Sequence, residues 1–159
     1  MIFAALGTHR DPMSRLIEAL ESLPSDELVV QHGFSPPPQR ARCAVGFMPF
    51  DEMVACFEAA DVVITHAGVG SVLSAVRAGH APIVVPRLRR LGEHVDDHQV
   101  EFARALAQHR AVRPVWDVRK LPDAVASYPA RRDVYAVEGE LPLHHAVRAA
   151  LRGPRRPET

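Results

Sequence analysis

Four short segments of this chain carry residue types that bind or transform ligands, and each follows an apolar run. Gly7-Thr8-His9-Arg10 offers a glycine, a hydroxyl and an imidazole just ahead of a helix start. Such a turn can hold an anion on backbone N–H groups and on the helix dipole, worth roughly 0.3 to 2 kcal/mol, although a plain turn has the same composition. His66-Ala67-Gly68-Val69-Gly70-Ser71 repeats the arrangement. Its glycines let a bulky ligand approach the backbone, and Ser71 can cap a helix or bind an oxyanion. A dinucleotide fingerprint needs a further glycine where Leu73 stands, and needs to follow the first strand rather than a later one.

The third segment is Gly92-Glu93-His94-Val95-Asp96-Asp97-His98-Gln99, preceded by Arg87, Arg89 and Arg90. His94 and His98 have the spacing of a helical zinc pair, but Val95 occupies the place of the glutamate in H-E-x-x-H. A polar helix start, with Asp96 and Asp97 favoured by the macrodipole, competes with the metal reading. A sugar fits better, because Asp97, His98 and Gln99 supply the mixed donors and acceptors that hydroxyls need. The fourth segment, Gly46-Phe47-Met48-Pro49-Phe50, can receive a planar base between main-chain groups and an aromatic ring, while burial of Phe47 and Phe50 in the core is the stronger expectation.

These segments need a scaffold that brings them to one place. Short β-branched runs over 2–6, 27–31, 41–45, 61–65, 82–85 and 112–116 alternate with segments of helical period. That alternation is the mark of an α/β fold, a parallel sheet with crossover helices. Helices are expected after Pro12 until Pro24, over 51–60, over 71–78 closed by Gly79, over 95–109 with Val100, Ala103, Leu106 and Ala107 inward, and over 122–128 and 143–151. The polar stretch 129–140 reads as a surface connection and 152–159 as a disordered tail, leaving one lobe over 1–151. In an open parallel sheet ligands bind beyond the carboxyl ends of the strands, where all four segments fall.

Composition narrows the function. With 159 residues, 47% hydrophobic and 24% charged, one core burying roughly 70% of the unfolded surface is expected. No apolar run approaches the ~20 residues that cross a bilayer. Nineteen basic residues against nineteen acidic ones leave no net charge, which argues against a general nucleic-acid binder. Cys43 and Cys56 form neither a disulfide scaffold nor a zinc knuckle and read as core thiols. A cytoplasmic protein is expected, because the chain opens on strand-like residues without a basic leader.

The opening I-F-A-A-L-G-T-H-R-D-P-M, the run A-D-V-V-I-T-H-A-G-V-G-S-V-L-S-A-V-R-A-G-H-A-P-I-V-V-P-R and the segment G-E-H-V-D-D-H-Q-V-E-F-A together resemble the glycosyltransferase family 28 C-terminal domain over roughly residues 1–118. The nearest likeness is to the short, stand-alone subunits of split UDP-sugar transferases, such as the PssE-like subunits of exopolysaccharide synthesis. The resemblance implies a single GT-B C-terminal-type lobe with a Rossmann-like sheet, binding a UDP-sugar donor without metal or other cofactor. The acceptor lobe would be a separate, membrane-associated PssD-like partner, and the acceptor a lipid-linked saccharide. This lobe would then sit at the inner membrane face through that partner, as an inverting hexosyltransferase active only in the complex.

By the same resemblance, Gly7, Thr8 and His9 would lie near the diphosphate, as would His66, Ala67, Gly68, Val69, Gly70 and Ser71. The Phe47-Met48 backbone would face uracil, and His98 and Gln99 the sugar hydroxyls. Ser74 stands where the family usually has the glutamate that takes the ribose hydroxyls; that loss should weaken donor binding by about 1 to 3 kcal/mol. No catalytic base is assigned in this chain. A non-catalytic nucleotide-sugar-binding or assembly module is the alternative that Ser74 and the missing lobe favour. An unrelated doubly wound enzyme using NAD or a phosphate ester is a third, opposed by the displaced Gly68-Val69-Gly70.

Overall fold

The structure is a computed structural model that describes residues 1–129. All six expected strands form, shorter than the apolar runs that encode them: β1 (Ile2–Ala5), β2 (Leu28–Gln31), β3 (Cys43–Val45), β4 (Val62–Thr65), β5 (Ile83–Val84) and β6 (Arg113–Pro114). They make one all-parallel sheet in the order β3-β2-β1-β4-β5-β6. The crossovers carry α1 (Ser14–Leu20), α2 (Phe50–Ala59), α3 (Val69–Arg77) and α4 (His98–Gln108), and α5 (Leu121–Ala126) follows β6.

Side-chain alternation distributes the strands between two faces. Ile2, Ala4 and Leu6 join Leu16, Leu20, Leu28, Ile64 and Leu121 in one cluster, under α1 and α5. Phe3, Ala5 and Val63 face the other way, onto Phe57 of α2, where the Phe3 and Phe57 rings meet edge to face at 5.1 Å. Val72 and Val76 of α3 and Phe102, Ala103 and Leu106 of α4 cover the β5 end of that second face. With both faces covered, the central strands read as continuous apolar runs, as buried parallel strands must.

Register decides where the site falls. Ala5 pairs with both Gln31 and Thr65, and Thr65 with Val84, so β1, β2, β4 and β5 end level. The turns after them therefore open on the same edge of the sheet.

Several boundaries differ from the sequence expectation. α1 begins at Ser14, not Pro12, and α4 at His98, not Val95, so His94 lies on a turn and has no helical i, i+4 relation to His98. α3 starts at Val69, which places Ser71 inside its first turn and leaves Gly68 at the cap. Phe102, rather than Val100, is the large inward residue of α4. Cys43 is exposed on the edge strand and is no core thiol, while Cys56 is half-buried and packs against the cluster of Phe3, Phe57 and Val63. Phe47 and Phe50 are exposed, at 55% and 67%, because α2 turns its Phe57 face to the sheet and leaves its first turn at the rim. The connection expected over 129–140, the helix over 143–151 and the tail 152–159 lie, from residue 130 onward, outside the described residues.

Candidate functional site

The strand order reverses between β1 and β4. The chain leaves β1 toward β2 and β3, then returns to the opposite side, opening a crevice beyond the carboxyl ends where Rossmann-type sheets bind ligands. Gly7 leaves β1 with φ of +78°, a left-handed conformation that glycine adopts without steric penalty. Gln31 closes β2 and is buried at 3% exposure. Its Oε1 accepts from Gly7 N–H at 3.0 Å, and its Nε2 donates to the carbonyls of Gly7 at 3.0 Å and Gly46 at 2.7 Å. One side-chain amide thus joins the turns after β1 and β3.

His66 follows β4 and lies between two glycines. A Cβ on Gly68 would stand 2.2 Å from His66 Nε2, and one on Gly7 2.4 Å from Cε1, so both positions must be bare for the imidazole to fit. Nδ1 faces the Ala5 carbonyl at 3.3 Å. Burial, with the nearby Arg87 charge second, pushes the imidazole pKa down to about 4, so the ring is neutral at pH 7 and donates from Nδ1. α3 then begins with no side-chain cap. The first-turn N–H groups of Gly70 and Ser71 have no acceptor within the helix, and a Cβ on Gly70 would meet nothing within 4 Å.

These groups line a cleft of about 350 Å³ with two unlike ends. Gly7, Thr8, Gln31, His66, Gly68, Gly70 and Ser71 form a polar end of backbone and short side chains. Phe47, Met48, Phe50 and Met53 form an apolar end, and Phe34 packs edge to face on Phe47 at 5.1 Å. An N–H-rich end beside an aromatic and thioether end suits a ligand that is anionic at one end and flat and apolar at the other.

Of the sequence-expected residues, Gly7, Thr8, Phe47, Met48, His66, Gly68, Gly70 and Ser71 line the cleft. Ala67, Val69, Ser74, His9, Asp97, His98 and Gln99 do not. Ala67 is buried in the α3–α4 core and Val69 packs against it, while Ser74 is half-buried further along α3. Gln99 Oε1 accepts from Arg87 N–H at 3.1 Å and Asp97 Oδ1 from Arg89 N–H at 3.2 Å, so both side chains serve the turn after β5. Sequence reasoning missed Gln31 and Met53. A glutamine ending the buried run Leu28-Val29-Val30 was the sign to follow, since a buried amide needs partners at a strand end.

A second polar group lies beside the cleft. His9 and His94 stack with centroids 4.6 Å apart, His9 Nε2 facing Asp11 at 3.0 Å. Asp96 takes His94 Nδ1 at 3.0 Å and His98 Nδ1 at 2.7 Å on separate oxygens. Hydrogen bonds from His98 hold the Asp96 carboxyl below its usual range, and the bond to Asp96 holds the exposed His98 imidazole above its own. Among the described residues no three His, Cys, Asp or Glu side chains converge as metal ligands. Behind them, Arg15 forks onto the buried Glu93, Nε to Oε1 at 2.7 Å and Nη2 to Oε2 at 2.8 Å, and Arg87 is buried at 1% exposure.

Two curated relatives share part of the chain. It is 40% identical over 65 residues to the UDP-N-acetylglucosamine transferase subunit ALG13 of Yarrowia lipolytica, covering 41% of this chain and 31% of that protein. It is 33% identical over 106 residues to the UDP-N-acetylglucosamine--N-acetylmuramyl-(pentapeptide) pyrophosphoryl-undecaprenol N-acetylglucosamine transferase of Psychrobacter arcticus, covering 66% of this chain and 24% of that enzyme. The matches therefore span under a third of either relative. No solved structure matches the chain. The glycosyltransferase family 28 C-terminal domain matches residues 15–133, which takes in the Phe47, His66 and Gly92 segments but leaves the Gly7 turn outside. With that span and a six-stranded parallel Rossmann-like sheet, the chain belongs to the glycosyltransferase family 28 C-terminal domain.

Proposed function

We propose that this chain is the donor-binding lobe of a UDP-sugar glycosyltransferase. The observation that carries the reading is the two-ended cleft at the point where the strand order reverses. A uracil ring would lie against Phe47, Met48 and Phe50, and the diphosphate against Gly7, Thr8 and the first-turn N–H groups of Gly70 and Ser71. Those N–H groups and the α3 dipole would stabilise UDP as it leaves, the part that a preorganised anion site plays in group transfer.

The transfer itself would need a second chain. Inversion at the anomeric carbon requires a base to take the proton of the attacking hydroxyl. Among the described residues that line the cleft only His66 carries an imidazole, and burial pushes its pKa down to about 4, which makes it a weak base for a hydroxyl proton. The base and the acceptor site would come from a membrane-associated acceptor-binding partner, with a lipid-linked saccharide as acceptor and the reaction at the cytoplasmic face. The name of the Yarrowia relative, a transferase subunit, supports a partner of this kind.

A non-catalytic nucleotide-sugar-binding module is the second reading. It is favoured by Ser74, which stands where the family's ribose-binding glutamate is expected and lies off the cleft lining. Calorimetric titration of UDP with EDTA present, followed by a transfer assay with and without an acceptor-lobe partner chain, separates the two. Binding plus transfer in the complex supports the enzyme, binding without transfer supports the module, and no UDP binding contradicts both.

A further inference from the structure

Among the described residues Arg87 is the largest side chain that is fully buried, and the donor-binding reading leaves it without a part to play. Its guanidinium starts beyond β5 and donates to the Leu6 carbonyl past the end of β1 at 2.9 Å, to the Glu93 carbonyl at 3.1 Å and to the Asp11 carbonyl. Since β4 lies between β1 and β5, this side chain crosses the end of β4, where His66 begins the next turn. None of these donors reaches a carboxylate. The Glu93 oxygens are taken by Arg15 and by Leu88 N–H at 2.9 Å, and Arg87 Nε has no partner. A buried cation held by carbonyl dipoles without a direct counter-ion is costly. A simple cross-link between loops would be more stable built from neutral groups.

We infer that Arg87 is a positioning residue for the cleft, fixing the turn after β1 from Leu6 to Asp11 and setting a positive charge behind the end where Gly7, Thr8 and Gly70 gather. For the nature of the ligand, a nucleoside diphosphate, this rests on the donor-binding reading. The same charge disfavours a proton on His66. The groups facing that imidazole are Arg87 from the β5 turn, His94 from the segment after it, His9 from the β1 turn, and the Thr65 hydroxyl and Ala5 carbonyl from the sheet. Lysine cannot replace Arg87, because one ammonium lacks the planar fork that spans three separated carbonyls.

Two variants separate charge from geometry. R87M removes both, and R87K keeps the charge. NMR of the ligand-free protein follows the His66 ring protons against pH and the amides of Gly7 and Thr8, and calorimetry gives UDP affinity. In R87M the His66 midpoint should rise by about one unit. In R87K it should stay low while the Gly7 and Thr8 amides move and UDP binds about tenfold more weakly. Wild-type amides and wild-type UDP affinity in R87K, or an unmoved His66 midpoint in R87M, overturn the inference. If the wild type itself does not bind UDP, the donor-binding reading fails, while the ligand-free measurements still decide the role of Arg87. If R87M does not fold, unmoved amides in R87K overturn it alone.

Discussion

The side-chain amide of Gln31 pairs with both backbone groups of Gly7, accepting from the N–H and donating to the carbonyl, each at 3.0 Å. The turn after β1 is thus held by the end of the neighbouring strand. Gly33 allows the approach, since a Cβ there would stand 2.2 Å from the Gly7 oxygen.

Gln31→Leu should therefore destabilise the fold by about 1 to 3 kcal/mol, because it leaves the partly buried N–H and carbonyl of Gly7 without their partner. Urea denaturation checks the magnitude. A loss under about 0.5 kcal/mol would show that water replaces the amide.

The two glycines of the β4 turn should respond in opposite ways. Gly68→Ala pushes a methyl into His66 Nε2 and should cost about 1 to 3 kcal/mol of stability. Gly70→Ala meets open space within a helical turn and should be neutral or up to about 1 kcal/mol more stable, yet weaken UDP. Thermal melts read stability, and calorimetry reads the ligand. Unchanged UDP binding in a folded Gly70→Ala would place the diphosphate away from α3.

That contrast also marks what the sequence could and could not reveal. The six strands were legible because buried parallel strands are continuous runs such as Val62-Val63-Ile64-Thr65, and the glycines that follow β1 and β4 line the cleft. The fates of Phe47 and Phe50 were not, since exposure depends on which face α2 turns to the sheet, a tertiary choice that Phe57 wins. Gln99 looked like a sugar ligand because its type suits hydroxyls; only the fold shows its oxygen engaged by Arg87 N–H. Arg87 stands in one run with Arg89 and Arg90, and nothing in its spacing separates the buried guanidinium from its exposed neighbours.

Stability should fall in mild acid. The folded-state pKa of His66, about 4, lies below the ordinary imidazole value of 6.5, so the unfolded chain binds the extra proton first. The stabilisation is whole above pH 6.5 and is lost as pH falls toward 4, by about 3 kcal/mol at most. Chemical denaturation at pH 7.5 and 4.5 checks it, with His66→Gln as control. An equal pH dependence in the two proteins would contradict a buried neutral imidazole.

The Arg15–Glu93 fork should behave as a unit. Arg15→Met leaves the Glu93 carboxylate buried without its cation and should cost about 3 kcal/mol. A double-mutant cycle with Glu93→Gln should return a coupling of about 1 kcal/mol or more. Additivity within about 0.3 kcal/mol would make the pair incidental.

If the cleft between the β1, β3 and β4 turns holds a nucleoside diphosphate on N–H groups, the backbone amides will report it during a UDP titration with EDTA present. The expected result is saturable shifts that are largest at Gly7, Thr8, Phe47, Met48, Gly70 and Ser71, unaffected by the chelator. Absence of shifts, shifts confined to the groove of Trp116, Lys120 and Asp123 that follows β6, or loss of binding in EDTA would contradict it.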